Sequence, residues 1–165
     1  MAPSRDRYRK LRQTYTSLGL GELTAATVFA GIAASGLIPV TSTRPGALAL
    51  WSALAPLLLI LAQAGVYWLM AREWAGRARM PTCVAGAYRA ARLLDPLVLA
   101  LGLIGIVAWF PSGADAALVL GVWVFAAAEY ANYFVVRLAY PVHRWAAHVT
   151  QWRTPRLIKD LDRAR

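Results

Sequence analysis

The chain has 165 residues, of which 59% are hydrophobic and 16% are charged, and its formal net charge is +10. A mean hydropathy of +0.46 excludes an ordinary water-soluble domain, because such a domain covers its apolar core with a polar shell. Cys83 is the single cysteine, so no disulfide can form within the chain. The composition therefore predicts one membrane domain with short polar tails.

Four apolar segments are long enough to cross a bilayer and predict an all-α fold, an integral membrane four-helix bundle. The predicted spans cover about residues 18–40, 47–71, 93–110 and 116–140, and together they form a transmembrane domain of residues 18–140. The third is the shortest, and its first turn could begin earlier, near Val84. Proline, glycine, serine and threonine residues at 39–46 and 111–113 predict turns between paired spans.

The Lys and Arg residues predict the orientation of these spans. Of eighteen, five lie in the basic segment of residues 1–17, one between the first two spans, five at 72–92, none between the last two spans and seven from residue 137 onward. Because positive residues concentrate on the cytoplasmic side, we expect a multi-pass protein of the cell membrane with both termini in the cytoplasm. This rule already accounts for the net charge, so no nucleic-acid partner is expected.

One alternative concerns the start of the chain. A basic beginning followed by an apolar stretch with small residues is also typical of a cleaved signal peptide, which would occupy about residues 1–35. Within the same stretch, Ala26, Ala30 and Ala34 recur every fourth residue, and Gly31 and Ser35 form a second row. Such rows indicate close packing against another helix, in this chain or in a second copy.

Three acidic residues, Glu22, Asp95 and Glu129, fall at membrane depth, where a charge is costly and needs a partner or a purpose. Glu22 and Asp95 are expected near the inner boundary of the bilayer, with Glu129 deeper. Asn132, Tyr133 and Arg137 follow Glu129 at spacings that place all four on one stripe of the fourth helix. The candidate intramembrane polar site is Glu22, Arg92, Asp95, Glu129, Asn132, Tyr133 and Arg137.

This stripe has two interpretations. In the first, Glu129, Asn132 and Tyr133 line a polar pocket in which the carboxylate takes up a proton or binds a cation, and Asp95 and Glu22 complete the site. In the second, Glu129 pairs with Arg92 or Arg137, or hydrogen-bonds Asn132, and only locks the bundle together.

The basic tail of residues 141–165 carries Val142, Trp145, Val149 and Trp152 at helical spacing, which predicts a C-terminal interfacial amphipathic helix. Its predicted contacts with anionic headgroups on the cytoplasmic side come from Arg144, Trp145, Trp152, Arg153, Arg156 and Lys159. Pro155 interrupts the pattern and could separate a short final helix. His143 and His148, five residues apart, do not share a helical face, so neither a metal nor a cofactor is expected.

The first functional hypothesis is a non-enzymatic one: a small polytopic membrane protein with a structural or regulatory role that binds anionic lipid and either itself, as a homo-oligomer, or a membrane partner. The alternative is a proton- or cation-coupled transporter of a small solute that uses Glu22, Asp95 and Glu129. A third hypothesis is a lipid-modifying enzyme, but metalloprotease, serine-hydrolase, nucleotide-binding and dinucleotide-binding motifs are all missing from the sequence, so an enzyme is not expected.

Overall fold

The computed structural model describes residues 5–74, 79–136 and 154–164, and within these ranges the chain is helical, with no strand. The helices are α1 (Arg5–Ala34), α2 (Arg44–Trp74), α3 (Thr82–Ala108), α4 (Gly113–Phe134) and α5 (Arg156–Arg163), and a short 3-10 helix (Pro39–Ser42) precedes α2. Each of α1 to α4 contains a segment long and apolar enough to cross a membrane. The predicted all-α bundle of four membrane helices is confirmed.

The helices differ in length from the predicted spans. α1 begins at Arg5, thirteen residues before the apolar segment, because polar residues such as Arg, Lys and Gln continue a helix that hydropathy alone does not register. α3 likewise begins at Thr82, directly after Pro81. α4 ends at Phe134 rather than near 140, and the N–H groups of Val135 and Val136 both bond to the carbonyl of Ala131.

α2 lies at the centre of the bundle and packs against α1, α3 and α4, and α3 also packs against α4. Its charge-free sequence from Pro45 to Ala71 fits this place, because buried side chains occur on most of its faces. The start of α1, the end of α2, the start of α3 and the end of α4 all lie at one end of the bundle, with α5. We call this the basic end, because most Lys and Arg residues belong to it.

α1 and α2 cross each other closely at Gly19 and Gly65. A Cβ atom added to Gly19 would lie 2.8 Å from the carbonyl oxygen of Gly65, and one added to Gly65 would lie 3.0 Å from that of Gly19. The two backbones are therefore too close for any side chain at these positions. The small-residue rows singled out in the sequence lie elsewhere on α1: Ala26 packs against the core, whereas Gly31 and Ser35 are exposed.

α5 is the separate short helix that Pro155 predicted. Its residues Leu157, Asp160 and Leu161 are buried against the bundle, so the face of α5 that carries them is covered by protein instead of lying among lipid headgroups. The predicted interfacial helix around Trp145 and Trp152 lies outside the described residues and stays a prediction.

Candidate functional site

A cavity of about 450 Å³ opens between α1, α2 and α4 at the basic end, and α5 covers part of it. Four of the seven predicted polar-site residues line it: Glu22, Glu129, Asn132 and Tyr133. The rest of its lining is mainly aromatic and apolar and consists of Thr14, Tyr15, Leu18, Trp68, Pro155, Arg156 and Leu157. The stripe on α4 and the acid on α1 thus face one common space.

Hydrogen bonds hold the polar side chains of this cavity in place. The Tyr133 hydroxyl donates to Oε1 of Glu22 at 2.5 Å, and Nε1 of Trp68 donates to the Tyr133 oxygen at 3.4 Å. Asn132, one turn from Glu129 on α4, hydrogen-bonds the Glu129 carboxylate. Each carboxylate therefore has a neutral donor from α4, and Glu22 is tied to α2 through Tyr133 and Trp68.

The two carboxylates are close enough to repel each other when both are ionised. Among residues 5–74, 79–136 and 154–164, neither of them forms an ion pair. The predicted pair between Glu129 and Arg92 is not formed, because Arg92 is exposed on α3, and Arg137, the other suggested partner, lies outside the described residues.

Glu22 and Glu129 both line the cavity, and the expectation that Glu129 lies deeper than Glu22 stays a prediction. Tyr133, one turn beyond Glu129, bonds directly to Glu22. Because α4 ends at Phe134, Glu129 lies closer to the end of its helix than the predicted span to residue 140 implied.

Asp95 does not join this cavity. It is 1% exposed at the contact between α2 and α3, where Nε2 of Gln63 donates to its Oδ1 at 2.9 Å. Its Oδ2 and the Oε1 of Gln63 are buried without a hydrogen-bond partner in the described part of the chain. Asp95 and Gln63 therefore form a second, separate polar contact within the membrane domain.

Two consecutive residues of α4, Glu129 and Tyr130, contact different parts of the bundle. Glu129 faces the cavity, whereas the Tyr130 hydroxyl donates to the backbone carbonyl of Arg92 on α3 at 2.9 Å. That carbonyl is available because Pro96, four residues later, has no N–H to offer it.

α5 is fixed to the basic end by Asp160, which is 4% exposed. Tyr67 donates to its Oδ2 at 2.9 Å and Nε1 of Trp74 at 3.3 Å, while Nε of Arg156 lies 3.0 Å from its Oδ1. Arg89 on α3 also donates to the Leu161 carbonyl at 3.1 Å. These contacts hold Arg156 and Leu157 at the rim of the cavity.

Arg156 lines the cavity, and its positive charge is compensated by the Asp160 carboxylate. Burial lowers the pKa of its guanidinium, but Asp160, Tyr15 and Tyr67 raise it by more, so the pKa lies above its usual value and the group stays charged. Of the other predicted lipid contacts, Lys159 is exposed, and Arg144, Trp145, Trp152 and Arg153 lie outside the described residues.

Sequence reasoning did not place Tyr15, Trp68 or Asp160 in the site. Tyr15, Leu18 and Glu22 recur at helical spacing on α1 and were available as a signal. Trp68 lies near the end of the second predicted span, where aromatic residues are common at a membrane interface whether or not they line a site. Asp160 gives no sequence signal, because an acid in a short charged helix is usually solvated.

A second concave region of about 580 Å³ lies between α2 and α3 and is lined almost entirely by apolar side chains. Exposed Cys83 lies at its edge, and Gln63 and Tyr88 are its main polar contributors. Within a bilayer such an apolar groove faces the same environment as the rest of the lipid-exposed surface, so its shape and lining do not indicate a particular ligand.

No protein-family model, curated protein or solved structure matches this chain. Its class therefore follows from the fold: it is an all-helical multi-pass membrane protein. Within that class, its distinguishing feature is a cavity with two carboxylates beside aromatic side chains. Such a cavity can bind a proton or a cation.

Proposed function

We propose that the protein is a small transporter in which Glu22 and Glu129 bind a proton or cation as a solute moves. The observation that carries this proposal is that both carboxylates line one cavity and form no ion pair in the described part of the chain. Acidic side chains within a membrane domain are costly unless they are neutralised, so a shared cavity favours the uptake of a positive charge.

The surroundings of the carboxylates support a binding site that can be emptied. Tyr133 and Asn132 supply neutral hydrogen-bond donors, which orient the carboxylates without cancelling their charge. A bound proton or cation can then exchange, whereas a carboxylate locked to an arginine would not release its partner readily. Four helices rarely enclose a complete pathway, so this proposal includes a homo-oligomer as the transporting unit.

The test is proton and potassium flux in proteoliposomes that contain the full-length protein. We expect an imposed pH gradient to dissipate faster than in protein-free liposomes, as followed by an internal pH-sensitive dye. Glu129→Gln should abolish that increase, whereas Asp115→Asn, on the same helix but outside the cavity, should not. Fluxes of proton, potassium and a monovalent organic cation that all equal those of empty liposomes would overturn the proposal.

A second candidate function is the structural or regulatory one, in which the protein binds anionic lipid and itself or a membrane partner. Its supporting observation is a stripe of apolar side chains on the outer face of α3: Leu93, Leu97, Leu101 and Ile104, each at least 60% exposed. They recur at spacings of four, four and three, so they form one continuous surface. Such a stripe contacts either lipid or a second protein.

Native mass spectrometry of the protein extracted gently from its own membranes separates these possibilities. A second protein present at a fixed ratio, together with retained anionic lipid, would favour the structural or regulatory role. A homo-oligomer without another protein is expected from both functions, and the flux assay then decides between them.

A further inference from the structure

The cavity combines acidic and aromatic side chains. Glu22 and Glu129 supply negative charge, and Tyr15, Trp68 and Tyr133 supply aromatic rings. The rings of Tyr15 and Trp68 are packed with their centroids 5.1 Å apart and an angle of 51° between their planes. Aromatic faces attract cations through their quadrupole, and tryptophan does so most strongly.

The size of the cavity argues against a bare ion as its natural occupant. A volume of about 450 Å³ is far larger than a dehydrated metal ion needs, and it falls in the range of small-molecule sites. The described residues contain no group of three His, Cys, Asp or Glu side chains that could hold a metal. Within the described lining, metal ligation would rest on the two carboxylates.

The remaining lining fits the organic part of a ligand. Leu18, Pro155 and Leu157 add apolar surface to the lining. Arg156 is the one cation in the described lining, and its charge is compensated by Asp160 at 3.0 Å. The described lining is therefore acidic overall, and it has both polar and apolar surface.

From this combination we propose that the cavity binds an organic monovalent cation, a substituted ammonium with an apolar group attached. The carboxylates would neutralise the ammonium, the rings of Trp68 and Tyr15 would contact its methyl or methylene groups, and the apolar surface of the lining would cover the remainder. This inference names a substrate class and in that respect rests on the proposed transport function. The binding site itself can be tested without transport.

The probe is phenyltrimethylammonium, with tert-butylbenzene as its neutral isostere and potassium chloride as an inorganic comparison. Binding to the full-length protein in lipid nanodiscs is measured by calorimetry, with protein-free nanodiscs as the blank. We expect saturable binding of the cation, at least tenfold tighter than any saturable binding of the neutral compound or of potassium. Equal affinity for the neutral isostere, or no saturable binding of the cation, would overturn the inference.

Two pairs of variants locate the site. Trp68→Leu should weaken binding about tenfold or more, whereas Trp68→Phe keeps an aromatic face and should retain most of the affinity. Glu129→Gln should also weaken it, and Asp115→Asn should not. Phe125→Leu is the aromatic control, since Phe125 packs against Phe29 and does not line the cavity. Unchanged affinity in Trp68→Leu would contradict the assignment of the cavity.

The inference and the transport proposal fail in different ways. Proton or potassium flux that depends on Glu129, without phenyltrimethylammonium binding, would uphold the transporter and overturn the organic-cation site. Saturable binding sensitive to Trp68, without any flux of proton, potassium or the probe, would uphold the site and overturn the transport proposal.

Discussion

The Tyr133 hydroxyl donates a 2.5 Å hydrogen bond to the Glu22 carboxylate and so joins α4 to α1 through two residues that are 111 positions apart in the sequence. The bond gives each side chain a polar partner: Glu22 forms no ion pair among the described residues, and the Tyr133 side chain is buried. Trp68 on α2 adds a third helix to the same contact. The acidic cavity is thus a property of three packed helices.

Replacing Tyr133 by phenylalanine is expected to destabilise the bundle and to alter flux. The change removes the donor to Glu22 and leaves the carboxylate without that hydrogen bond, which should lower the free energy of unfolding by about 1–3 kcal/mol. Thermal unfolding in detergent measures the first effect and the proteoliposome assay the second.

The matched control is Tyr130→Phe, which removes a hydrogen bond of 2.9 Å made by a tyrosine one turn earlier on α4 and outside the cavity. It should lower stability in a similar way but leave flux unchanged. Equal changes of flux in the two variants would show that the bond to Glu22 has no special role.

Loss of the Asp160 carboxylate is expected to release α5 from the bundle. Asp160→Ala removes the carboxylate that accepts hydrogen bonds from Tyr67 and Trp74 and pairs with Arg156. This loss should lower the free energy of unfolding by about 2 kcal/mol or more. We expect a lower melting temperature and faster tryptic cleavage after Arg156 and Lys159. Asp162→Ala, an exposed acid on the same helix, should change neither measurement. Resistance of α5 to trypsin in Asp160→Ala would contradict its role as the anchor.

The α1–α2 crossing predicts opposite outcomes for two glycines on one helix. In Gly19→Ala the new methyl group would meet Gly65 backbone oxygen at 2.8 Å, so the helices must separate and the melting temperature should fall. In Gly21→Ala the Cβ meets nothing within 4 Å, and stability should stay equal or rise slightly, because alanine favours the helix. Thermal unfolding of the two variants side by side is the measurement. A similar loss in both would argue against this crossing.

Asp95→Asn, which replaces the carboxyl group beside Gln63 by an amide, is expected to leave the stability of the protein nearly unchanged. The structure gives Asp95 and Gln63 one hydrogen bond of 2.9 Å and leaves Asp95 Oδ2 and Gln63 Oε1 buried without partners in the described ranges. A proton on Oδ2 would let it donate to Oε1 and satisfy both atoms. Asparagine supplies the same donor and acceptor, so Asp95→Asn should unfold near the wild-type temperature.

Asp95→Leu is the contrasting variant for this pair. It leaves the Gln63 amide without a partner at the helix contact and should lower the free energy of unfolding by about 1–3 kcal/mol. If Asp95→Asn were as destabilising as Asp95→Leu, a charged carboxylate would be required there, and the paired arrangement would be wrong.

The predicted orientation can be tested through Cys83, which is exposed next to the connection between α2 and α3. Because the positive-inside rule places this connection in the cytoplasm, a membrane-impermeant maleimide should label Cys83 only in vesicles that expose the cytoplasmic face. The double variant Cys83→Ser/Ser112→Cys moves the thiol to the exposed turn before α4 and should reverse the result. Labelling of Cys83 from the outer face would overturn the orientation.

The sequence by itself determined the class of protein and one face of the site. Apolar segments of span length must be helical in a bilayer, since every backbone N–H and C=O needs an internal partner there. Helical periodicity then places Glu129, Asn132 and Tyr133 on one stripe, because spacing along a helix is local geometry. Helix ends were less predictable: α1 continues through polar residues to Arg5, where hydropathy gives no signal.

Only the tertiary structure decided which acids share a cavity. Glu22 meets the α4 stripe because Gly19 and Gly65 let α1 and α2 approach closely, whereas Asp95 turns to Gln63 in the contact between α2 and α3. The burial of Asp160 likewise depends on partners from α2 that are 86 and 93 positions away in the chain. Rotation and crossing of helices arise from packing between residues distant in sequence, and no local pattern encodes them.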